Sequence, residues 1–190
     1  MLKRRLNCLV IAAVFICTSA PAAKLSAGTD SRSLALELTL RPDHNVYRMS
    51  DTLHLETQLR NVGEGDVYIW EWDMCWNPAR GLSMRIIGAD RKDVRSRFLL
   101  DCVPPPPLQG NPYAFVKLAP GTFYGHAEDF KLSDMVNQPG EYDVIVSFNS
   151  FLSSHWIAEY LGNEPISKLP LWTMERPTVT SKRIHITVKP

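Results

Sequence analysis

The chain has 190 residues, with 21 lysines and arginines against 20 aspartates and glutamates, a formal charge of +1. No basic run is present that would track a phosphate backbone, which argues against a nucleic-acid partner. The length suits one domain.

The N-terminus has the three parts of an export signal. Lys3, Arg4 and Arg5 form a basic start, residues 6–16 are apolar except for Asn7, and small residues follow, with Ala20-Pro21-Ala22 as an A-x-A-like cleavage site. The apolar run is too short for a spanning helix, which needs about 20 residues. We therefore expect residues 1–23 to be a cleaved signal peptide, residues 24–32 to be a flexible leader, and the mature protein to be exported, periplasmic or secreted. Cleavage removes three basic residues and no acid, leaving 18 bases and 20 acids. It also removes Cys8 and Cys17. The two remaining cysteines, Cys75 and Cys102, are expected to pair in an oxidising compartment, with buried free thiols as the alternative. Closing that loop would stabilise the fold by roughly 3 kcal/mol.

Residues 33–40 (SLALELTL) alternate, with Leu34, Leu36, Leu38 and Leu40 on one face. Residues 51–60 (DTLHLETQLR) alternate again, with Leu53, Leu55, Thr57 and Leu59 inward and His54, Glu56, Gln58 and Arg60 outward. Period two marks half-buried strands. After a glycine-bearing turn, residues 66–76 (DVYIWEWDMCW) read as one strand, apolar on both faces, hence central or covered by a loop. Residues 82–87 and 95–100 are expected strands joined by a polar turn. The run of prolines from Pro104 to Pro107 lacks amide donors, so residues 101–112 read as an extended surface loop.

Strands are expected at 114–118 and 122–132, on either side of the Pro120-Gly121 turn, and at 142–148, after the turn at 137–140. The last strand is expected over 179–188. Residues 149–177 break this rhythm. Leu152, Trp156, Ile157, Tyr160 and Leu161 follow helical spacing, so a short helix is expected near 153–161, capped by Ser153 and stopped at Gly162.

Many short strands with turns between them indicate an antiparallel β-sandwich. Gly140-Glu141-Tyr142-Asp143-Val144 resembles the tyrosine corner of immunoglobulin-like domains. The Leu118-to-Gly121 turn and the stretch from Pro139 to Tyr142 are similar to a pattern of bacterial exported immunoglobulin-like domains. The resemblance spans roughly residues 33–188 and implies an all-β, immunoglobulin-like sandwich with one helix in the insertion before the last strand. The same segments, with residues 53–61, are distantly similar to the intracellular proteinase inhibitor-like domain family. That likeness carries no functional residue across.

His44, His54, His126, His155 and His185 show no metal-ligand spacing, and there is no nucleophile elbow or phosphate loop. No catalytic residue, metal or cofactor is expected. The tryptophans carry more information. Trp70, Trp72 and Trp76 cluster on the 66–76 segment, while Trp156, Tyr160 and Trp172 lie in the insertion. Either the insertion folds over the aromatic strand and buries it, or these rings form a binding surface. The function expected is non-enzymatic binding of an unidentified protein or envelope component through the end loops 149–177 and 101–112. A proteinase inhibitor presenting a loop, and a hydrolase or metalloenzyme with a dispersed site, are the alternatives.

Overall fold

A computed structural model describes residues 34–77, 79–94, 105–107, 111 and 114–190. The expected signal peptide, the leader, the strand at 95–100 and Cys102 lie outside the described residues. So does most of the loop at 101–112, of which Pro105–Pro107 and Asn111 are described without regular structure.

The domain is an antiparallel β-sandwich of immunoglobulin-like type. One sheet has the order β1-β3-β8: β1 is Leu36–Pro42, β3 is Thr52–Asn61 and β8 is Phe123–Lys131. The other has the order β2-β11-β9-β5-β6: β2 is Val46–Arg48, β11 Ile184–Lys189, β9 Gly140–Asn149, β5 Gly81–Gly88 and β6 Asp93–Val94. The N-terminal segment thus serves both sheets. β1 pairs with β3 along its whole length, and β2, after the bend at 43–45, pairs parallel with β11. Tyr47 secures the crossing. It is buried, and its hydroxyl lies 2.7 Å from both Asp43 Oδ1 and the His44 carbonyl oxygen.

Alternation places the core where it was expected. Leu53, Leu55, Thr57 and Leu59 of β3 are fully buried, facing Tyr142, Val144, Val146 and Phe148 of β9 and Ile186 and Val188 of β11. Burying a side chain of this size is worth about 1.5–3 kcal/mol. Trp76 meets Phe130 edge-on, with ring centroids 5.1 Å apart. At one end, the single helical turn α1 (Leu132–Met135) plugs the sandwich with Leu132 and Met135.

The tyrosine corner is present. The Tyr142 hydroxyl donates to the Gln138 carbonyl oxygen at 2.7 Å, closing the turn before β9. The final strand is interrupted. β10 (Val179–Thr180) pairs with β9, and then Ser181 accepts the Val146 N–H through its own hydroxyl at 3.1 Å. Ile184 resumes the ladder as β11.

The segment 66–76 is not one strand. β4 is Val67–Trp70, paired with β7 (Phe115–Leu118), and Glu71–Met74 then winds into a 3-10 turn. Alternation misleads here because the side chain of Asp73 supplies the turn with an acceptor of its own. Its Oδ2 takes the Trp70 N–H at 3.3 Å. The winding breaks the expected alternation: Trp72 is 40% exposed while Asp73 and Met74, which follow it, are both buried.

Candidate binding surface

The 3-10 turn and the insertion between β9 and β10 meet at one end of the sandwich, and Asp73 joins them. Besides the Trp70 N–H, its carboxylate accepts the Ser150 hydroxyl at 2.7 Å and the Phe151 N–H at 2.8 Å. The Ser150 hydroxyl oxygen in turn accepts the Leu152 N–H at 3.0 Å. Burial pushes the Asp73 carboxyl up to about 7, against the three hydrogen bonds that favour its charged form. Gly81, beginning β5, completes the junction. Its φ is +69°, and a Cβ there would run into the Cys75 carbonyl oxygen and the Phe151 ring.

The insertion then builds its own small core. Helix α2 (Ser154–Trp156) starts where the Ser153 hydroxyl accepts the Trp156 N–H at 3.0 Å, and it continues as a π-turn over Ile157–Leu161. The turn ends at Gly162, whose φ of +53° favours glycine. Leu152, Leu161 and Leu171 pack with Trp70, Ala114 and Phe115, and Trp156, Ile157 and Ile166 lean against them. The chain returns alongside β4. Tyr68 N–H donates to the Pro170 carbonyl at 3.0 Å, and Trp172 N–H donates to the Tyr68 carbonyl at 2.7 Å. These bonds occupy the open edge of β4, while Leu152, Leu161 and Leu171 packed against Trp70 cover its second face, as a strand apolar on both sides requires.

The six aromatic residues proposed from sequence divide accordingly. Trp70, Trp76 and Trp172 are buried and belong to packing, so they form no surface. Bulky rings dominate burial wherever a covering segment is available, and here the insertion covers Trp70. Trp156 and Tyr160 are half-buried and stack edge-on at 5.8 Å, with Trp156 also edge-on to Trp70 at 6.3 Å. Trp72 is the most open of the six. Cys75 is half-buried at the end of the 3-10 turn.

Each histidine lies beside an acid. His44 is 2.7 Å from Asp43, His54 2.6 Å from Asp129, His126 4.0 Å from Glu128 and His155 3.3 Å from Glu159. His185 contacts Glu141 at 2.6 Å and Asp143 at 3.1 Å. His54 and His185, both outward on their strands, sit in different sheets and do not pair. Asp129 holds His54 above its ordinary pKa, and Asp143 with Glu141 does the same for His185. Near His185 the Thr187 hydroxyl donates to Glu141 at 2.9 Å, so its proton is held by a carboxylate and not by the imidazole. Among the described residues no group of three or more His, Cys, Asp or Glu side chains is placed to hold a metal ion. No described helix is long and apolar enough to cross a membrane.

Sequence reasoning missed Asp73 and Ser150. The available signal was the pair of acids Glu71 and Asp73 inside the aromatic run WEWDMCW, since an acid in a strand apolar on both faces must either break the strand or find buried donors.

No protein-family model and no curated protein matches the sequence. In structure the chain is similar to the CARDB domain of a Pyrococcus furiosus protein, solved in complex with di-metal ions. Identity is 10%, the match covers 83% of this chain and 94% of that one, and the TM-score is 0.37. It is also similar to part of a β-glucosidase from Erythrobacter marinus, at 11% identity and a TM-score of 0.36, covering 82% of this chain. This chain spans only 16% of that enzyme's length. The immunoglobulin-like assignment rests on the strand order and the Tyr142 corner.

Proposed function

We propose that this chain is an exported, non-enzymatic binding domain that engages a protein or cell-envelope component through its insertion end. The observation that carries the reading is the way residues 149–177 are fixed. The Asp73 carboxylate grips Ser150 and Phe151, and residues 170–172 pair with Tyr68. A recognition surface built on held backbone costs less ordering on binding than a loose loop. Trp72, Trp156 and Tyr160 remain partly open at this end, and such rings are enriched among residues that dominate binding.

The export signal over residues 1–23 and a Cys75–Cys102 disulfide belong to the same proposal. Thiol labelling of the denatured mature protein, with and without reductant, tests the disulfide: labelling that needs reductant supports it. The inhibitor reading has less support. A protease needs an extended loop it can enter, whereas this insertion is helical and packed down through Leu152, Leu161 and Leu171.

The test is site-specific photo-crosslinking in envelope extracts. A crosslinker at Tyr160 or Trp72 is expected to capture the same component, and one at the outward Thr187 is expected to capture nothing. Equal capture at all three positions, or none at the first two, contradicts the proposal.

A further inference from the structure

We infer that the outer face of the β1-β3-β8 sheet carries a second binding site, a shallow groove that takes a neutral oligosaccharide. The strand register builds it. His54, Glu56 and Gln58 project outward from β3 and stand opposite Asp129, Ala127 and Gly125 of β8, while Arg41 of β1 stands opposite Glu56. Ala127 and Gly125 keep the β8 side low. A Cβ at Gly125 would collide with the Thr57 carbonyl oxygen, so the floor cannot be raised there without moving β3. Phe123 stands at one end, 59% exposed, more open than any other large hydrophobic side chain among the described residues. The hollow has a volume of about 340 Å³, within the range of small-ligand sites.

The groups facing this hollow are partly fixed and partly unspent. Gln58 Nε2 donates to Glu56 Oε1 at 2.7 Å, which ties the two side chains together and leaves an oxygen on each to accept. His54 is oriented through Nδ1 by Asp129 at 2.6 Å. Its Nε2 and the Arg41 guanidinium have no partner among the described residues.

The hollow thus presents both donors and acceptors beside an exposed phenyl ring. Adjacent sugar hydroxyls, each both donor and acceptor, match such a set, and the C–H face of a pyranose covers the ring. An apolar ligand would strip water from these polar groups without replacing it. An anionic ligand would meet the Asp43 and Glu56 carboxylates, while of the basic groups lining the hollow His54 and His126 already lie beside Asp129 and Glu128, which leaves Arg41 as the cation without a carboxylate partner among the described residues.

The experiment is a titration of the isotopically labelled protein with two neutral probes, cellohexaose and N-acetylchitohexaose, and one anionic probe, an oligogalacturonate. At least one neutral probe is expected to shift the amides of residues 54–58 and 123–127. Phe123→Ala is expected to weaken that binding about tenfold or more with an unchanged melting temperature, since the ring is exposed. Gln58→Ala weakens it as well, and Trp72→Phe, at the insertion end, leaves it unchanged. The proposal is overturned if neither neutral probe binds, if shifts fall outside these strands, if Phe123→Ala binds as the parent does, or if oligogalacturonate alone binds.

Discussion

The Ser150 hydroxyl donates to the Asp73 carboxylate at 2.7 Å, joining residues 77 positions apart inside a site closed to water. That bond links the turn after β4 to the first residue after β9, so the insertion begins from a fixed point. The titration of Asp73 follows from the same burial. In the unfolded chain the carboxyl ionises near 3.8, and in the folded chain near 7. Between those values the folded state holds a proton that the unfolded state has lost, so this group's contribution to stability falls as pH rises from about 4 to about 7. Asp73→Asn is expected to remove that slope, leaving the variant closest to or above the parent beyond pH 7. Urea unfolding at intervals from pH 4 to 8, compared as a difference between the two proteins, reads it. Asp73→Ala, which strands three donors, is expected to cost about 2 kcal/mol or more at every pH.

Gly81→Ala is expected to destabilise the fold by about 2 kcal/mol or more, because its φ of +69° and the crowding by the Cys75 carbonyl and Phe151 act together. The loss should be accompanied by earlier proteolysis within residues 149–177, because Phe151 is the side chain displaced. Limited proteolysis beside a melting curve checks both parts.

The tyrosine corner gives a narrower expectation. Tyr142→Phe keeps the buried ring and removes only the donor to the Gln138 carbonyl. A loss of about 1 kcal/mol by chemical denaturation is expected, with the packing of β9 intact.

Tryptophan emission tests how the aromatics are divided. Trp70, Trp76 and Trp172 are buried and Trp72 is 40% exposed. Trp72→Phe is expected to shift emission to the blue and remove much of the acrylamide-accessible signal, while the melting temperature stays close to that of the parent.

His185 is expected to titrate above its ordinary value of 6.5, because Asp143 and Glu141 favour its charged form. The sign is opposite to that of Asp73. Its contribution is complete below 6.5 and fades as pH rises through the folded value. Proton NMR of the ring should show the pKa falling in Asp143→Asn.

Where alternation and burial coincide, the strands could be read directly. β3 and β9 follow their period of two residue by residue, and Ser153 and Gly162 bound the insertion helix as their chemistry demands. The failures occur where a side chain replaces a backbone partner. Asp73 turned an apparent eleven-residue strand into four strand residues and a 3-10 turn, and the Ser181 hydroxyl split the last strand in two. Periodicity registers which side chains are apolar, but not that a carboxylate or hydroxyl has taken over a ladder bond. The parallel β2–β11 pair and the docking of residues 170–172 beside Tyr68 depend on long-range contacts, which local pattern does not encode. The outer-face groove escaped for a related reason. Its residues are ordinary outward positions on separate strands, and they converge only once the register of β3 against β8 is known.

Amide hydrogen exchange across residues 149–177 tests most directly whether the insertion is a fixed part of the domain. The structure calls for Phe151, Leu152, Leu171 and Trp172 to exchange slowly, with protection approaching that of β9, and for Asp73→Ala to release them before the sheets open. Exchange of these amides at the rate of an unstructured chain in the parent protein would contradict it.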